Sequence, residues 1–142
     1  MTAPTYFTHE QAVLAALATV PVPELLVRTA VAADEAVELS AAQPTAVVVF
    51  EADEVVQARK DACLVNRRVS VYLLLQGPTT ERQPEDGVLL HALWATLHGL
   101  DIPGYEEPLM FESSDAEVVS GCRDYRLVFK TQVTLRKPGK PR

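Results

Sequence analysis

Residues 67–99 constrain the fold of this chain more than any other stretch. They open with apolar side chains on one face at a period of two, as in a strand: Val69, Val71, Leu73 and Leu75. Residues 77–84 then break the alternation with glycine and proline. Apolar side chains next recur at helical spacing: Leu89, Leu90, Leu93, Trp94 and Leu97. Asp86 is the expected N-cap and Gly99 the expected stop. The helix must bury these apolar side chains, and the sheet that contains the preceding strand is the nearest surface for them.

Segments before this unit carry weaker signals of helix and strand. Thr8 and Gln11 match a capping box, with Thr8 as the N-cap of a helix that presents apolar residues on one face. Residues 25–29 predict a short strand, whereas residues 31–42 fit either a short helix or a surface connection. The β-branched run at residues 45–51 predicts a strand that is buried on both faces and central in its sheet. Residues 53–66 predict an exposed loop or hairpin arm.

The last third of the chain predicts a β-hairpin. Residues 109–119 supply one strand or a broken one, and the following strand alternates cleanly from Asp124 onward. One face of that strand carries Tyr125, Leu127, Phe129, Thr131, Val133 and Leu135. The predicted fold class is therefore α+β. It is a two-layer sandwich with a largely antiparallel, four- to five-stranded sheet and two main helices packed on one face. Residues 1–135 are expected to form one domain, and residues 136–142 a basic disordered tail.

Charge is distributed unevenly along the 142 residues. Residues 1–122 carry 6 basic and 18 acidic side chains, whereas residues 123–142 carry 7 basic and 1 acidic. This asymmetry predicts contact between oppositely charged surfaces, within or between copies, or contact with nucleic acid. A solvated tail that aids solubility is the alternative. Two widely separated cysteines, Cys63 and Cys122, favour a reduced, intracellular setting. We expect no signal peptide and no membrane span.

Six basic residues are the candidate interface residues: Arg59, Lys60, Arg67, Arg68, Arg136 and Lys137. The first four lie within ten positions of an otherwise acidic stretch, and the last two open the basic tail. A solvated arm is the alternative interpretation. We predict no catalytic, cofactor-binding or metal-binding residue, and hence no enzyme and no cofactor.

The alternatives from catalytic chemistry are weak. His91 and His98 lie seven positions apart, whereas metal-binding helices place histidines three or four apart. His9 is expected to be solvated. No Gly-x-Ser-x-Gly motif supports a triad such as Ser70, His91 and Asp101. A cluster of three acids could bind a divalent metal in a nuclease, although an acidic loop is favoured: Glu51, Asp53 and Glu54.

Several segments together resemble the tail terminator (tail-completion) proteins of long-tailed phages, in particular the Mu-like branch. The similarity covers residues 8–135 and is a pattern of spaced apolar residues and glycines. It includes the N-terminal amphipathic helix, residues 44–51, residues 68–74, the Leu90, Leu93 and Leu97 helix between Gly87 and Gly99, and Gly121 with residues 125–131.

The resemblance implies a structural role in the virion tail, after assembly in the host cytoplasm. Such proteins form rings, of six copies in the better-known members, that cap the tail tube, stop its polymerisation and provide the head-joining surface. The implied partners are the chain itself, the tail tube protein and a head-completion or connector protein, with DNA only in passage through the lumen and no membrane. The alternatives are a small regulatory or ligand-binding ferredoxin-like module and a metal-dependent nuclease.

Overall fold

The structure is a computed structural model and describes residues 6–21, 25–30, 44–76, 83–119 and 122–137. Three sequence predictions therefore lie outside the described residues. They concern residues 31–42, most of the loop at residues 77–84 and the tail beyond residue 137. No helix in the described ranges is long and apolar enough to cross a membrane.

Two helices and five strands make up the described fold. In chain order they are α1 (Thr8–Leu17), β1 (Leu26–Ala30), β2 (Thr45–Ala58), β3 (Ala62–Gln76), α2 (Pro84–Leu97), β4 (Met110–Val119) and β5 (Cys122–Arg136). The strands form one sheet in the order β1-β2-β3-β5-β4. β1 runs parallel to β2, and every other pair is antiparallel. The predicted α+β class and the largely antiparallel five-stranded sheet are confirmed.

The main core lies between the two helices and one face of the sheet. The strand alternation predicted for β3 holds, because Val69, Val71 and Leu73 all lie in this core. Helices contribute buried residues at helical spacing: Val13 and Leu17 from α1, Leu93 and Leu97 from α2. The opposite face of the sheet holds a second buried cluster, formed by Val47, Val49, Tyr72 and Leu74. Burial on both faces of β2 is thus confirmed, but β3, not β2, is the central strand.

The helix ends differ slightly from the sequence predictions. Thr8 is the first residue of α1 and Phe7 is its N-cap, so the predicted cap was wrong by one position. Gln83 is the N-cap of α2, and Asp86 completes a capping box from the third helical position. Gly99 has φ +80, the left-handed conformation that commonly ends a helix. Trp94, predicted as core, is only half-buried and stacks on His98 at the end of α2.

A hairpin arm extends β2 and β3 past the end of β1, with β5 paired along its β3 side. β1 pairs with β2 only as far as Val49, so no other described strand covers the outer edge of β2 from Phe50 to Ala58. We call residues 52–66 the arm. Its two strands pair as far as Ala58 and Cys63, and residues 59–61 form its exposed tip. The predicted hairpin arm is confirmed.

Candidate assembly interface

The tip of the arm and the end of β5 form one basic surface. β3 pairs with β5 along its whole length, which brings Ala62 opposite Arg136. Lys137 N–H donates to the carbonyl of Asp61 at 2.9 Å. Four of the six predicted interface residues therefore meet at one end of the sheet, all with exposed side chains: Arg59, Lys60, Arg136 and Lys137. We call these four residues the basic tip. Because Arg136 ends a strand and the backbone of Lys137 is bonded, the expected disordered tail was wrong for these two residues.

The basic tip differs from the rest of the sheet in how its cations are paired. Within the described ranges, its four side chains belong to no ion pair, whereas four other arginines each contact a carboxylate: Arg67, Arg68, Arg123 and Arg126. Arg68, the fifth predicted interface residue, donates to both carboxylate oxygens of Glu112 at 2.8 and 3.0 Å on the surface. A cation already held by a carboxylate offers less attraction to a neighbour, so the basic tip is the stronger candidate contact.

Arg67, the sixth predicted interface residue, lies inside the domain. Its side chain is 1 % exposed. The guanidinium donates to both carboxylate oxygens of Asp53, from Nε and Nη2, at 2.8 Å each. Nη1 donates to the Tyr6 carbonyl at 2.9 Å and to the Tyr105 hydroxyl at 2.6 Å. Arg67 is therefore not available to a partner. It joins the entry to α1, the root of the arm and the segment after α2.

The electrostatics of this cluster favour its charged form. Burial lowers the pKa of the Arg67 guanidinium, but its bonds to Asp53 and Tyr105 outweigh burial and leave the pKa above its usual value. Burial likewise raises the pKa of Asp53, and the bonds from Arg67 and Tyr6 more than reverse this, so its pKa is lowered. The Tyr6 ring lies beneath the guanidinium, 4.3 Å from Cζ to the ring centroid. The result is a buried ion pair with partners on both charges.

His9 belongs to the same cluster, contrary to the expectation that it is solvated. It is fully buried, its Nδ1 lies 3.3 Å from Arg67 Nη1, and its ring packs edge-on against Phe50. Among the described residues, its Nε2 has no hydrogen-bond partner. Burial, together with the Arg67 charge, lowers the pKa of His9 to about 4. The residue is therefore neutral at physiological pH and acts as a packing group.

One sequence signal could have identified Arg67 as buried. It lies in phase with Val69, Val71 and Leu73, so the period-two pattern already directs its side chain toward the helix side of the sheet. A cation on a core face requires a paired acid. The partners Tyr6 and Tyr105 lie 61 and 38 positions away, and no local pattern indicates them.

A groove along the β4 edge of the sheet is the second candidate surface. It lies between α2 and the edge strand β4 and has a volume of about 800 Å³. Its apolar lining consists mainly of Leu90, Trp94, Phe111 and Leu127. Asp115, with 66 % of its side chain exposed, also borders the groove, but its carboxylate lies on the opposite face of the sheet, 3.7 Å from Arg126. We call this feature the α2–β4 groove. Sequence reasoning favoured a core role for the apolar residues from Leu89 to Leu97 over a groove for a partner helix, and so did not identify this groove.

A buried polar cluster fixes one end of the α2–β4 groove. Asp86, 2 % exposed, receives hydrogen bonds from Arg123 at 2.8 and 3.0 Å and from the Tyr125 hydroxyl at 2.6 Å. It also accepts the N–H of Gln83 as part of the capping box. Burial raises the pKa of Asp86, and the bonds from Arg123 and Tyr125 outweigh that effect and lower it. These contacts tie the start of α2 to β5.

The acidic cluster proposed for a nuclease is split across the sheet. Asp53 faces Arg67 on the helix side, whereas Glu51 lies 3.1 Å from Arg126 and 3.4 Å from the Tyr72 hydroxyl, beside the second buried cluster. The hypothetical triad is likewise not assembled. Ser70 accepts a hydrogen bond from Arg126 Nε at 3.1 Å, on the face of the sheet opposite α2 and its His91. Within the described residues, no group of three His, Cys, Asp or Glu side chains is placed to hold a metal.

Comparison with known proteins finds a solved structure with a similar fold. No protein-family profile matches the chain, and no curated protein matches it in sequence. Among solved structures, it matches a chain from the virion of a native gene transfer agent (GTA) particle, with a TM-score of 0.54 and 17% sequence identity. The match covers 89% of this chain and 91% of that one. The two chains share a fold over nearly their whole lengths.

Proposed function

We propose that this chain is a structural protein of a phage-like particle, and specifically a tail terminator that caps the tail tube. The observation that carries the proposal is the nearly full-length fold similarity to a chain of a gene transfer agent virion. The sequence resemblance to tail terminator proteins supports the same class independently. In this role the chain is not an enzyme and needs no cofactor.

Assembly into a ring follows from the placement of the surfaces. The basic tip lies at one end of the sheet and the α2–β4 groove along its β4 edge, so a contact between them would join unlike surfaces of two copies. Repeated contacts of this heterologous kind generate a closed ring when the rotation per copy closes. We propose six copies, after the resemblance, with the tube protein on one side of the ring and a head-completion or connector protein on the other.

The experiment is removal of the gene from the phage or prophage that encodes it. Electron microscopy should show tails that are longer than normal and not joined to heads, and the supplied protein should restore both length and joining. Tails of normal length joined to heads in the deletion strain would refute the terminator role. Labelled protein found away from the end of the tail in complemented particles would refute it as well.

A matched solution measurement separates the ring from the ligand-binding alternative. A ring of six should sediment at six times the 15.5 kDa chain mass, alone or after addition of tail tubes. A dimer that remains a dimer in the presence of tubes would favour the regulatory or ligand-binding module instead.

A further inference from the structure

We propose that His9 is an acid-sensitive latch, whose protonation releases the entry to α1 while the sheet stays folded. By the entry to α1 we mean residues 6–11, which lead into the helix and form its first turn. The latch is the contact between this entry and Arg67 at the base of the arm. The inference goes beyond the proposed function and is independent of it, because it concerns a single folded chain.

The site of His9 accepts the imidazole only in its neutral form. Nδ1 lies 3.3 Å from Nη1 of Arg67, and a guanidinium nitrogen can only donate, so Nδ1 is the accepting nitrogen. Nε2 then carries the hydrogen, and in the described part of the chain it has no hydrogen-bond partner. A second proton would set two donors and two positive charges against each other, in a side chain with no exposed surface.

The carboxylate of Asp53, on β2, is already engaged and does not balance a charge on His9. It accepts hydrogen bonds from the Arg67 guanidinium and from the Tyr6 hydroxyl, and Phe50 on the same strand presents only its ring to His9. Asp53 raises the pKa of His9, but burial and the Arg67 charge outweigh it and lower that pKa to about 4. Protonation in this position is therefore unfavourable, and departure of the imidazole relieves it.

Other titratable groups around the latch do not replace this effect. Tyr105, in the segment after α2, and Tyr6 both have a raised pKa, so they stay neutral in acid. Glu10, the next residue of α1, acts in the opposite direction, because burial raises its pKa and its protonation favours the folded form. Asp53 has a lowered pKa and keeps its charge until the pH is below the range in which His9 responds. Between pH 7 and 4.5, protonation of His9 is therefore the change that favours release.

The entry to α1 can separate without loss of the main core. Its N-cap, Phe7, provides no side-chain hydrogen bond to the first turn. Tyr6 and Phe7 are 49% and 50% exposed, whereas the helix is anchored further along by Val13 and Leu17, which are buried in the core. Release of the entry therefore removes its bonds at the base of the arm and leaves the strand ladders of the sheet intact.

The size of the effect follows from the two pKa values of His9. With a pKa of about 4 in the latched form and the ordinary 6.5 after release, the ratio of released to latched chains should rise about eightfold between pH 7 and 5.5, and about sixtyfold by pH 4.5. Hydrogen exchange of the full chain, followed by mass spectrometry and corrected for intrinsic rates, should show protection at residues 8–13 falling by these factors. At each pH it should remain below the protection at residues 89–97 in α2, because release requires less opening than unfolding. Constant protection at residues 8–13, or equal protection in both segments, would overturn the proposal.

Histidine variants assign the effect to one side chain. His9→Phe keeps a ring against Phe50 but binds no proton, so its protection at residues 8–13 should stay nearly constant over the same pH range. His9→Gln, also uncharged, gives a second measurement if the phenyl ring does not pack. His91→Phe makes the same change on the exposed side of α2 and should retain the wild-type response. A wild-type response in both His9 variants would assign the release to another group and overturn the latch.

Discussion

Arg67 and Asp53 face each other across the β2–β3 ladder, and the guanidinium donates to both carboxylate oxygens at 2.8 Å. The pair lies where the arm leaves the core, and it also holds Tyr6 and Tyr105. An ion pair that is buried and fully bonded does not by itself indicate high stability, but removal of one partner leaves a buried charge without compensation. The consequences of the cluster are therefore measurable by substitution.

Arg67→Met should destabilise the fold by about 3 kcal/mol or more, because Asp53 would remain desolvated without its cation. Urea unfolding of the purified protein measures the change. Arg68→Met is the matched control, since the adjacent arginine forms its bidentate pair on the surface, and its unfolding midpoint should stay close to that of the wild type. An equal loss in the two variants would show that Arg67 has no special role.

Stability should fall as the pH falls from about 6.5 to 4, because of His9. In the unfolded chain His9 binds a proton near its ordinary pKa of 6.5, whereas burial lowers its pKa in the fold to about 4. The unfolded state therefore holds more protons within this window, and acid favours it. Below the window the lowered pKa of Asp53 adds a further loss, as that carboxylate becomes protonated.

His9→Phe should flatten this part of the pH profile, measured as the free energy of unfolding at several pH values. The phenyl ring can retain the edge-on contact with Phe50 but binds no proton. His91→Phe, on the exposed side of α2, is the control and should keep the wild-type slope. An unchanged slope in His9→Phe would assign the acid sensitivity to other groups.

Asp86→Ala should destabilise the fold by about 3 kcal/mol, because it removes the capping box and leaves Arg123 and Tyr125 without their shared acceptor. The fall in melting temperature on thermal unfolding measures this loss of stability. Glu85→Ala changes an exposed carboxylate one position earlier and should have little effect. Asp86→Asn, which keeps an oxygen acceptor for the cap, should fall between the two, and a loss equal to that of alanine would mean that charge is the dominant contribution.

Two glycines of α2 and its end should respond in opposite directions to alanine. Gly87 lies inside the helix, and an added Cβ meets no atom within 4 Å, so Gly87→Ala should stabilise the fold by about 0.5–1 kcal/mol. Gly99 has φ +80, and Gly99→Ala should destabilise it by about 1 kcal/mol. Unfolding of both variants under one set of conditions checks the signs, and the same sign for both would contradict the backbone explanation.

Local patterns predicted the elements of this fold but not their partners. Alternation through Val69, Val71 and Leu73 identified β3, and helical spacing through Leu93 and Leu97 identified α2, because burial on one face leaves a period in the sequence. The order of the strands in the sheet could not be predicted in this way. Insertion of β5 between β3 and β4 depends on pairs such as Val69 with Phe129, which are sixty residues apart and leave no local signal.

The candidate interface was predicted only in part, because its residues meet through the pairing of strands that are distant in sequence. Composition identified the basic residues, and the β3–β5 register shows why Arg59 and Arg136 belong to one surface. Arg67 could not be separated from Arg68 by composition. Only the phase of the strand distinguishes the two, since adjacent residues of a strand point to opposite faces. The groove beside Trp94 depends on how far α2 stands from β4, which no sequence pattern records.

The cluster around Arg67 also determines how the arm can move. Its guanidinium bonds Asp53 in the arm, Tyr6 ahead of α1 and Tyr105 after α2, so bending at the arm's base would break bonds to three separate parts of the chain at once. Every copy must then project its arm at the same angle. In the proposed ring, an arm held at one angle would give each added copy the same rotation, and a constant rotation would set a single curvature. The diameter of the assembly would in that case be a property of one folded chain, set before any neighbour arrives.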